Sequence, residues 1–260
     1  MRRVPWLQIY VGLVIVFLFT PVVVVVLFSF NKSAALAFPF RGFSLRWYHE
    51  LFSTPDALAA IRHSLEIAVV TAVVDGVIGT MAALALVRHP FRGSKVLQLV
   101  IIIPVALPGL FIGIALLTFY LRMHIALSLW TATLGHIIYT LPFVFLVVVA
   151  RLSQSDPLLE EAAQDLGAGP WMTFRRVTLP IIAPAVVGGM LVAVVLSWDE
   201  FFITNFTVGP QNTLPLLIWT KIRQSIDPSV NAISTILLAA TIAMILVAVR
   251  FGGSAISERK

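Results

Sequence analysis

The stretch VPWLQIYVGLVIVFLFTPVVVVVLFSFN, residues Val4–Asn31, has no charged residue and is long enough to cross a lipid bilayer as one helix. Of the 260 residues in the chain, 59% are hydrophobic and only 12% are charged. A soluble domain carries about a quarter charged residues, so this composition excludes a soluble enzyme. Met1-Arg2-Arg3 before the stretch and Ala35-Leu36-Ala37 after it also fit a cleaved signal peptide, but the apolar run exceeds the usual signal core of about 7–15 residues. We therefore predict a membrane helix.

The rest of the chain predicts further membrane spans. With the first stretch they number six, at about residues 5–30, 64–87, 96–121, 128–149, 181–206 and 231–250, within a single transmembrane domain over residues 1–260. The predicted fold class is an all-α polytopic membrane protein. Pro104 and Pro108 predict that the third span is kinked or broken and packed against neighbouring helices.

The basic residues predict the orientation of the chain. The net charge of +6 lies between the apolar runs, which indicates membrane topology rather than nucleic-acid binding. With the N-terminus inside, the inner side holds Arg2, Arg3, Arg88, Arg92, Lys95, Arg151, Arg175, Arg176, Arg250, Arg259 and Lys260. The outer side holds Lys32, Arg41, Arg46, Arg62, Arg122, Lys221 and Arg223. Both termini are therefore expected in the cytoplasm. The chain has no cysteine, which excludes disulfides and thiolate metal sites.

The loop between the fourth and fifth predicted spans, residues 151–180, has the signals of two short helices. Asp156 is a good N-cap, Pro157 suits the first helical position, and Leu158–Leu166 has helical apolar spacing. Gly167 is placed to end that helix, and Gly169-Pro170 allows a change of direction. The loop is either a docking surface for another protein or an amphipathic hairpin that caps the bundle.

One motif in this loop resembles the signature of the permease subunits of binding-protein-dependent ATP-binding-cassette importers. Glu161-Ala162-Ala163, Gly167 and Val177-Thr178-Leu179-Pro180 match it at every spacing, with Val177 where the family often has Ile. The resemblance implies that the loop couples to a separate ATPase subunit. The residues it implies for docking are Glu160, Glu161, Ala162, Ala163, Gly167, Val177, Leu179 and Pro180.

Other segments are similar to a narrower branch, the type I permeases for spermidine, putrescine and related amines. They are Phe91-Arg92-Gly93, Leu196–Phe206, Thr213-Leu214-Pro215 and Asp227–Ala232. One departure is His63 before Ser64-Leu65, where many relatives have Asn. The solute is therefore expected to be a polyamine, and an aminophosphonate, an opine, an amino acid or ferric iron remains an alternative.

The resemblance also implies the partners and the location. They are a second permease subunit, usually a different chain, two ATPase subunits that bind ATP and Mg, and a periplasmic or lipid-anchored solute-binding protein. This chain itself is expected to hold no cofactor or metal and to catalyse no reaction. It is expected in the bacterial cytoplasmic (inner) membrane, in contact with lipid.

Two adjacent carboxylates near the end of the fifth predicted span, Asp199 and Glu200, are candidates for contact with the solute. Trp198 and Phe201 flank them and Asn205 follows, a combination that suits an ammonium group through charge pairing and cation–π contact. The alternative is that the carboxylates lie at the outer interface, solvated or paired with Lys221 or Arg223.

Two further polar residues lie deeper in the predicted spans. Asp75 is surrounded by the small residues Ala72, Gly76 and Thr80, which favours a buried hydrogen bond to a neighbouring helix; the alternative is a gate or pathway role. His136 has no partner at metal-ligand spacing, which favours a satisfied interior histidine.

Two other classes of membrane protein, an ion-coupled secondary transporter and an intramembrane enzyme, fit the sequence less well. An ion-coupled secondary transporter would use Glu66, Asp75 and Asp199 as a relay, but it leaves the spacing from Glu161 to Pro180 unexplained. An intramembrane enzyme would need a paired His/Glu metal motif or a Gly-x-Ser-x-Gly nucleophile, and the chain has neither. It also lacks a Gly-x4-Gly-Lys-Ser/Thr phosphate loop, as expected of a permease whose ATPase is a separate subunit.

Overall fold

The computed structural model describes residues 5–33, 40–224 and 228–257, and these residues are almost entirely helical. The helices are α1 Pro5–Ser29, α2 Arg46–Ser53, α3 Pro55–Arg88, α4 Ser94–Ile102, α5 Gly109–Arg122, α6 Leu129–Gln154, α7 Leu158–Asp165, α8 Pro170–Thr173, α9 Leu179–Trp198, α10 Phe202–Thr207, α11 Leu214–Gln224 and α12 Ser229–Ser257. A 3-10 turn, Ile103–Ala106, follows α4, and a π-helical turn, Phe174–Thr178, joins α8 to α9. The all-α membrane fold predicted from the sequence is confirmed.

Five helical stretches among the described residues are long and apolar enough to cross a membrane: Trp6–Ser29, Pro55–Arg88, Leu129–Gln154, Pro170–Trp198 and Ser229–Val247. A sixth exists if α4 with its 3-10 turn and α5 are counted together as one broken span. The two halves of this span are bent by 110° relative to each other. Pro104 lies in the 3-10 turn and Pro108 caps α5. The prolines therefore break this helix, as their missing N–H groups predict.

The third predicted span packs unevenly. No residue of α4 or of the 3-10 turn is fully buried, although Ile101 and Ile102 of α4 are half-buried against the core of α3, α6 and α9. In the other half, α5 has buried residues, and a Cβ atom added at Gly113 would lie 3.0 Å from the carbonyl oxygen of Phe202 in α10. The packing against neighbouring helices expected for this span is therefore present mainly in α5. The fifth predicted span, residues 181–206, has different limits in the structure, because the π-helical turn carries one helical stretch from Pro170 past Pro180 to Trp198, where it ends.

The centre of the bundle is formed by α3, α6 and α9, which approach closely because small residues lie where they meet. A Cβ atom added at Gly79 of α3 would lie 3.2 Å from Val144 Cγ1, and one added at Gly189 of α9 would lie 3.1 Å from Val144 Cα. Small residues permit this close helix packing in membranes. The buried core here consists of Ala72, Ala83, Val144, Phe145, Val148, Leu152, Ile182 and Ala193.

A second apolar core lies around the start of α3, at the end of the bundle opposite α7. It joins α2, α3, α11 and α12 through Leu51, Ala57, Ala60, Trp198, Leu214, Leu217 and Ile233. Two hydrogen bonds tie α3 to the segment that leads into α11. The His63 Nδ1–H group donates to the carbonyl of Asn212 at 2.9 Å, and Ser64 Oγ accepts from the backbone N–H of Leu214 at 2.8 Å.

Candidate functional site

The docking loop folds as a compact hairpin of residues 155–178, called the hairpin below. Asp156 Oδ1 accepts a hydrogen bond from the backbone N–H of Leu158 at 3.0 Å, so it caps α7 as its sequence position predicts. Gly167 adopts the left-handed conformation, with φ +86°. Its N–H group donates to the carbonyl of Gln164, and the N–H group of Ala168 donates to that of Ala163. This glycine therefore ends α7 and turns the chain toward α8.

An ion pair ties the hairpin to the bundle. Arg88, the last residue of α3, donates from Nε to Glu160 Oε1 at 3.1 Å and from Nη2 to Ser155 Oγ at 2.6 Å. The side chains of Arg88 and Glu160 are only 14% and 19% exposed. Arg151 of α6 donates a hydrogen bond from Nε to the carbonyl of Ile181 in α9 at 3.0 Å. The hairpin is thus tied to α3 by the ion pair, and the two helices on either side of it are joined at its base.

The eight residues implied in docking divide into two groups. Glu161, Ala162, Gly167 and Pro180 are exposed, whereas Glu160, Ala163, Val177 and Leu179 are half-buried. The carboxylate of Glu160 is occupied by Arg88, so Glu161 presents the free acidic group of this pair.

The exposed side of the hairpin also carries large apolar groups that the motif does not include. Leu166 is 90% exposed and Trp171 is 71% exposed. Both lie close to Gly167 in the sequence, which was the available signal. Exposed apolar groups of this size on the hairpin are candidates for a protein contact.

The two candidate carboxylates differ in their surroundings. Asp199 follows the last residue of α9 and is exposed, with no ion pair and no hydrogen bond to another residue in the described ranges. Glu200 is half-buried, and its Oε1 accepts the backbone N–H of Ile203 at 2.9 Å, so it caps the short helix α10. The alternative pairing with Lys221 or Arg223 is absent among the described residues, where Arg223 instead lies 5.1 Å from the Trp219 ring centre. Asp199 is therefore the more accessible of the two carboxylates.

Of the aromatic and amide groups expected beside Asp199, Phe201 and Asn205 have accessible side chains, whereas Trp198 does not. The half-buried Phe201 ring lies 5.4 Å from the ring of Trp219 and 5.3 Å from that of Phe202. Asn205 of α10 is exposed. Trp198 does not join this surface, because its ring is 3% exposed and belongs to the second core. Its large apolar ring is stabilised by burial on the opposite side of the chain.

Sequence reasoning missed one aromatic residue beside the carboxylates. Tyr139 of α6 is half-buried and lies within electrostatic range of both Asp199 and Glu200. Its ring packs against Phe143 with 6.1 Å between centres. The available signal was spacing, because Tyr139 and Phe143 are four residues apart and therefore share a helix face.

Asp75 and His136 lie in the interior. Asp75 is fully buried, and Thr140 Oγ1 hydrogen-bonds to its Oδ2, so the hydrogen bond to a neighbouring helix predicted for Asp75 is present. With no exposed surface, its side chain does not open onto a pathway in this conformation. His136 is 1% exposed and bonds to Ser197 Oγ at 2.7 Å and Thr204 Oγ1 at 2.8 Å, as expected for a satisfied interior histidine. No three His, Asp or Glu side chains in the described ranges cluster to hold a metal ion.

The fold and the site together define a class: a multi-pass helical membrane protein with a helical hairpin at one end and, at a helix break, an exposed carboxylate that forms no ion pair with a described residue. Residues 76–254 match the family described as "Binding-protein-dependent transport system inner membrane component". The chain belongs to this family, and it is a permease subunit of an importer.

Two relatives and one solved structure extend the comparison. The chain is 36% identical over 246 residues to the putrescine transport system permease protein PotI of Escherichia coli K12, covering 92% of this chain and 87% of the relative. It is 34% identical over 231 residues to the spermidine/putrescine transport system permease protein PotC of the same strain, covering 88% and 87%. Its fold is similar to a chain of a bacterial transporter that imports alginate, with a TM-score of 0.71, 13% identity and coverage of 98% and 96%.

Proposed function

We propose that this permease subunit forms half of an import pathway for a polyamine such as putrescine or spermidine, driven by ATP hydrolysis on separate subunits. Two lines of argument support it. The relatives described above carry these solutes in their names, and the chain presents a suitable group for an amine at the end of α9.

The observation that carries the choice of solute is the exposed carboxylate of Asp199. A polyamine carries ammonium groups separated by short apolar chains. A carboxylate without an internal partner binds such a group by a charge-assisted hydrogen bond. The half-buried rings of Phe201 and Tyr139 add cation–π attraction and apolar contact for the methylene groups. Glu200 contributes through the shape of the break, since its side chain is engaged with the N-terminus of α10.

The hairpin is the proposed contact with the ATPase. Its exposed residues include the acidic Glu161 and the apolar Leu166 and Trp171, and burial of the apolar side chains in a cleft of the partner would stabilise the complex. The ion pair between Arg88 and Glu160 then makes any displacement of the hairpin act on α3. In this proposal ATP and Mg are bound by two ATPase subunits, and this chain contributes no nucleotide chemistry.

The remaining parts of the proposal concern assembly and orientation. A second permease subunit, a different chain in the polyamine branch, completes the pathway, and a periplasmic or lipid-anchored binding protein docks at the end of the bundle opposite the hairpin. The basic residues support cytoplasmic termini and a cytoplasmic hairpin. Nucleotide-driven closure would move the two hairpins together and switch the cavity between inward-facing and outward-facing states.

The experiment that tests the proposal is the ATPase activity of the assembled complex in lipid, with its binding protein and one solute at a time. The panel comprises putrescine, spermidine, an opine, amino acids, an aminophosphonate and ferric iron. Stimulation by the polyamines alone is expected. Stimulation by another solute would contradict the amine assignment while leaving the permease class intact. Uptake that persists without any ATPase subunit, driven by an ion gradient, would contradict ATP coupling.

A further inference from the structure

The backbone around Asp199 is not held by regular helix structure. The helix α9 ends at Trp198, Asp199 has φ −105° and ψ 6°, and α10 begins only at Phe202 and ends at Thr207. A helix end leaves carbonyl groups without helical partners, and a helix as short as α10 has little stability of its own. The local bonds here are few: Glu200 Oε1 accepts from the Ile203 N–H group, and the Thr204 hydroxyl donates to the Glu200 carbonyl. Contacts from a neighbouring helix can therefore add to the order of the Asp199 backbone.

His136 of α6 contacts both sides of the break at once. Its Nδ1 lies 2.7 Å from Ser197 Oγ, two residues before Asp199, and its Nε2 lies 2.8 Å from Thr204 Oγ1, five residues after Asp199. The three side chains are 1%, 3% and 0% exposed, in that order. The imidazole thus bridges the last turn of α9 and the middle of α10 in a space without solvent.

The hydrogen bonds also determine which ring nitrogen carries the proton. The hydroxyl of Thr204 donates to the carbonyl of Glu200 at 2.9 Å, so Thr204 Oγ1 accepts the bond from His136 and Nε2 is the protonated nitrogen. Nδ1 is then the acceptor for the hydroxyl proton of Ser197. A neutral imidazole supplies one donor and one acceptor, and each is used. The carbonyl of Glu200 is held by the same chain of bonds.

The helix α6 is also joined to α3 one turn beyond His136. Thr140 Oγ1 lies 2.9 Å from the backbone carbonyl of His136 and contacts the carboxyl of Asp75 on α3. The single hydroxyl proton of Thr140 serves one of these two oxygens at a time. The part of α6 that carries His136 is therefore packed against α3, which limits the movement of the imidazole.

We propose that His136 is a positioning residue for the solute site: it clamps Ser197 and Thr204 so that the carboxylate between them points out of the bundle toward the solute. This inference rests on the proposed function, because Asp199 is the group being positioned. A residue needed only to fill space at this point would be apolar, since burial of an imidazole is favourable only when its polar atoms are bonded.

The test compares binding by variants of the assembled complex in lipid nanodiscs without the binding protein, with labelled putrescine and spermidine as probes. His136→Leu removes both bonds and is expected to weaken binding about tenfold, the effect of losing one or two hydrogen bonds. His136→Gln, whose amide donates and accepts, is expected to return the affinity toward that of the natural chain. Thr133→Val is the matched control, because Thr133 is a buried residue of α6 whose hydroxyl, among the described residues, bonds to the Leu129 carbonyl of the same helix.

The decisive measurement is the double variant His136→Leu with Asp199→Asn. If His136 acts through Asp199, the double variant binds no more than about twofold more weakly than Asp199→Asn alone, because coupled residues are not additive. Independent, additive losses would overturn the positioning role while leaving the amine site intact. An affinity unchanged by Asp199→Asn would overturn the amine site, and the positioning role with it. If His136→Leu fails to assemble, Ser197→Ala and Thr204→Val replace it in the same cycle, with the same expected non-additivity.

Discussion

The proposed role of Asp199 leads to a sharp comparison with its neighbour. Asp199→Asn keeps the shape of the side chain and removes its charge. Asp199 is exposed and makes no ion pair with a described residue, so the change is expected to alter stability by less than about 0.5 kcal/mol. Any large effect on solute binding then reports the lost charge rather than misfolding.

The size of the effect follows from the kind of bond that is lost. A hydrogen bond to a charged group contributes about 1.5–3 kcal/mol, whereas a neutral one contributes about 0.5–1.5 kcal/mol. Replacing the carboxylate with an amide therefore costs about 1–2 kcal/mol of amine binding, or roughly 5- to 30-fold in Kd. The matched variant is Glu200→Gln, whose amide oxygen can still accept the N–H group of Ile203; its Kd is expected to change by less than about threefold.

The binding protein dominates the apparent affinity of uptake, so Kd is measured by equilibrium binding of labelled putrescine to the complex in nanodiscs. Uptake is measured separately in proteoliposomes at a saturating concentration of loaded binding protein, where Asp199→Asn is expected to reduce the rate. An Asp199→Asn complex with unchanged Kd and uptake would refute the reasoning. If Glu200→Gln raised the Kd more than Asp199→Asn did, the solute contact would have to be assigned to Glu200 instead.

Three further predictions concern the hairpin and the packing of the bundle. Glu161→Lys on the exposed face of α7 is expected to abolish solute-stimulated ATP hydrolysis while the chain stays in the membrane fraction; full stimulation would contradict the docking role. Arg88→Gln removes the ion pair with Glu160, whose side chain is 19% exposed, and is expected to destabilise the hairpin by about 1–3 kcal/mol. Limited proteolysis within residues 151–180 should then be faster, and an unchanged proteolysis rate would show that the hairpin is stable without this ion pair. Gly189→Val would place a Cβ 3.1 Å from the backbone of α6, and the overpacking is expected to lower the free energy of unfolding by about 1–3 kcal/mol. The melting temperature should fall. Gly12 has open space around it, so Gly12→Val is the control and should leave the melting temperature unchanged.

Local sequence features predicted the hairpin well. Asp156 caps α7 and Gly167 ends it with a positive φ, because capping and left-handed turns depend on residues that are adjacent in the chain. Local sequence features did not predict which of Glu160 and Glu161 forms an ion pair and which is exposed. The ion pair depends on Arg88, which lies far away in the sequence and approaches only when α3 packs beside the hairpin.

The helix break shows the same limit at the candidate site. The sequence indicated carboxylates, aromatic rings and an amide near residue 200, but it placed them inside one span and grouped Trp198 with Asp199. In the structure α9 ends at Trp198. The Trp198 ring is buried in the second core, and Asp199 is exposed. Which of two adjacent side chains faces inward is decided by the direction of the chain at the break, and neighbouring helices hold that direction.

The sequence by itself determined that the chain lies in a membrane, that it is helical, that the third span is kinked or broken around Pro104 and Pro108, and which loop carries the family motif. These properties follow from composition, from the length of apolar runs and from local backbone chemistry. Only the tertiary structure decided that Glu160 is engaged by Arg88, that Glu200 caps α10, and that His136 joins Ser197 to Thr204. Each of these depends on helix packing, and an apolar bundle in lipid gives little sequence signal of which faces meet, since lipid-facing and buried positions are equally hydrophobic.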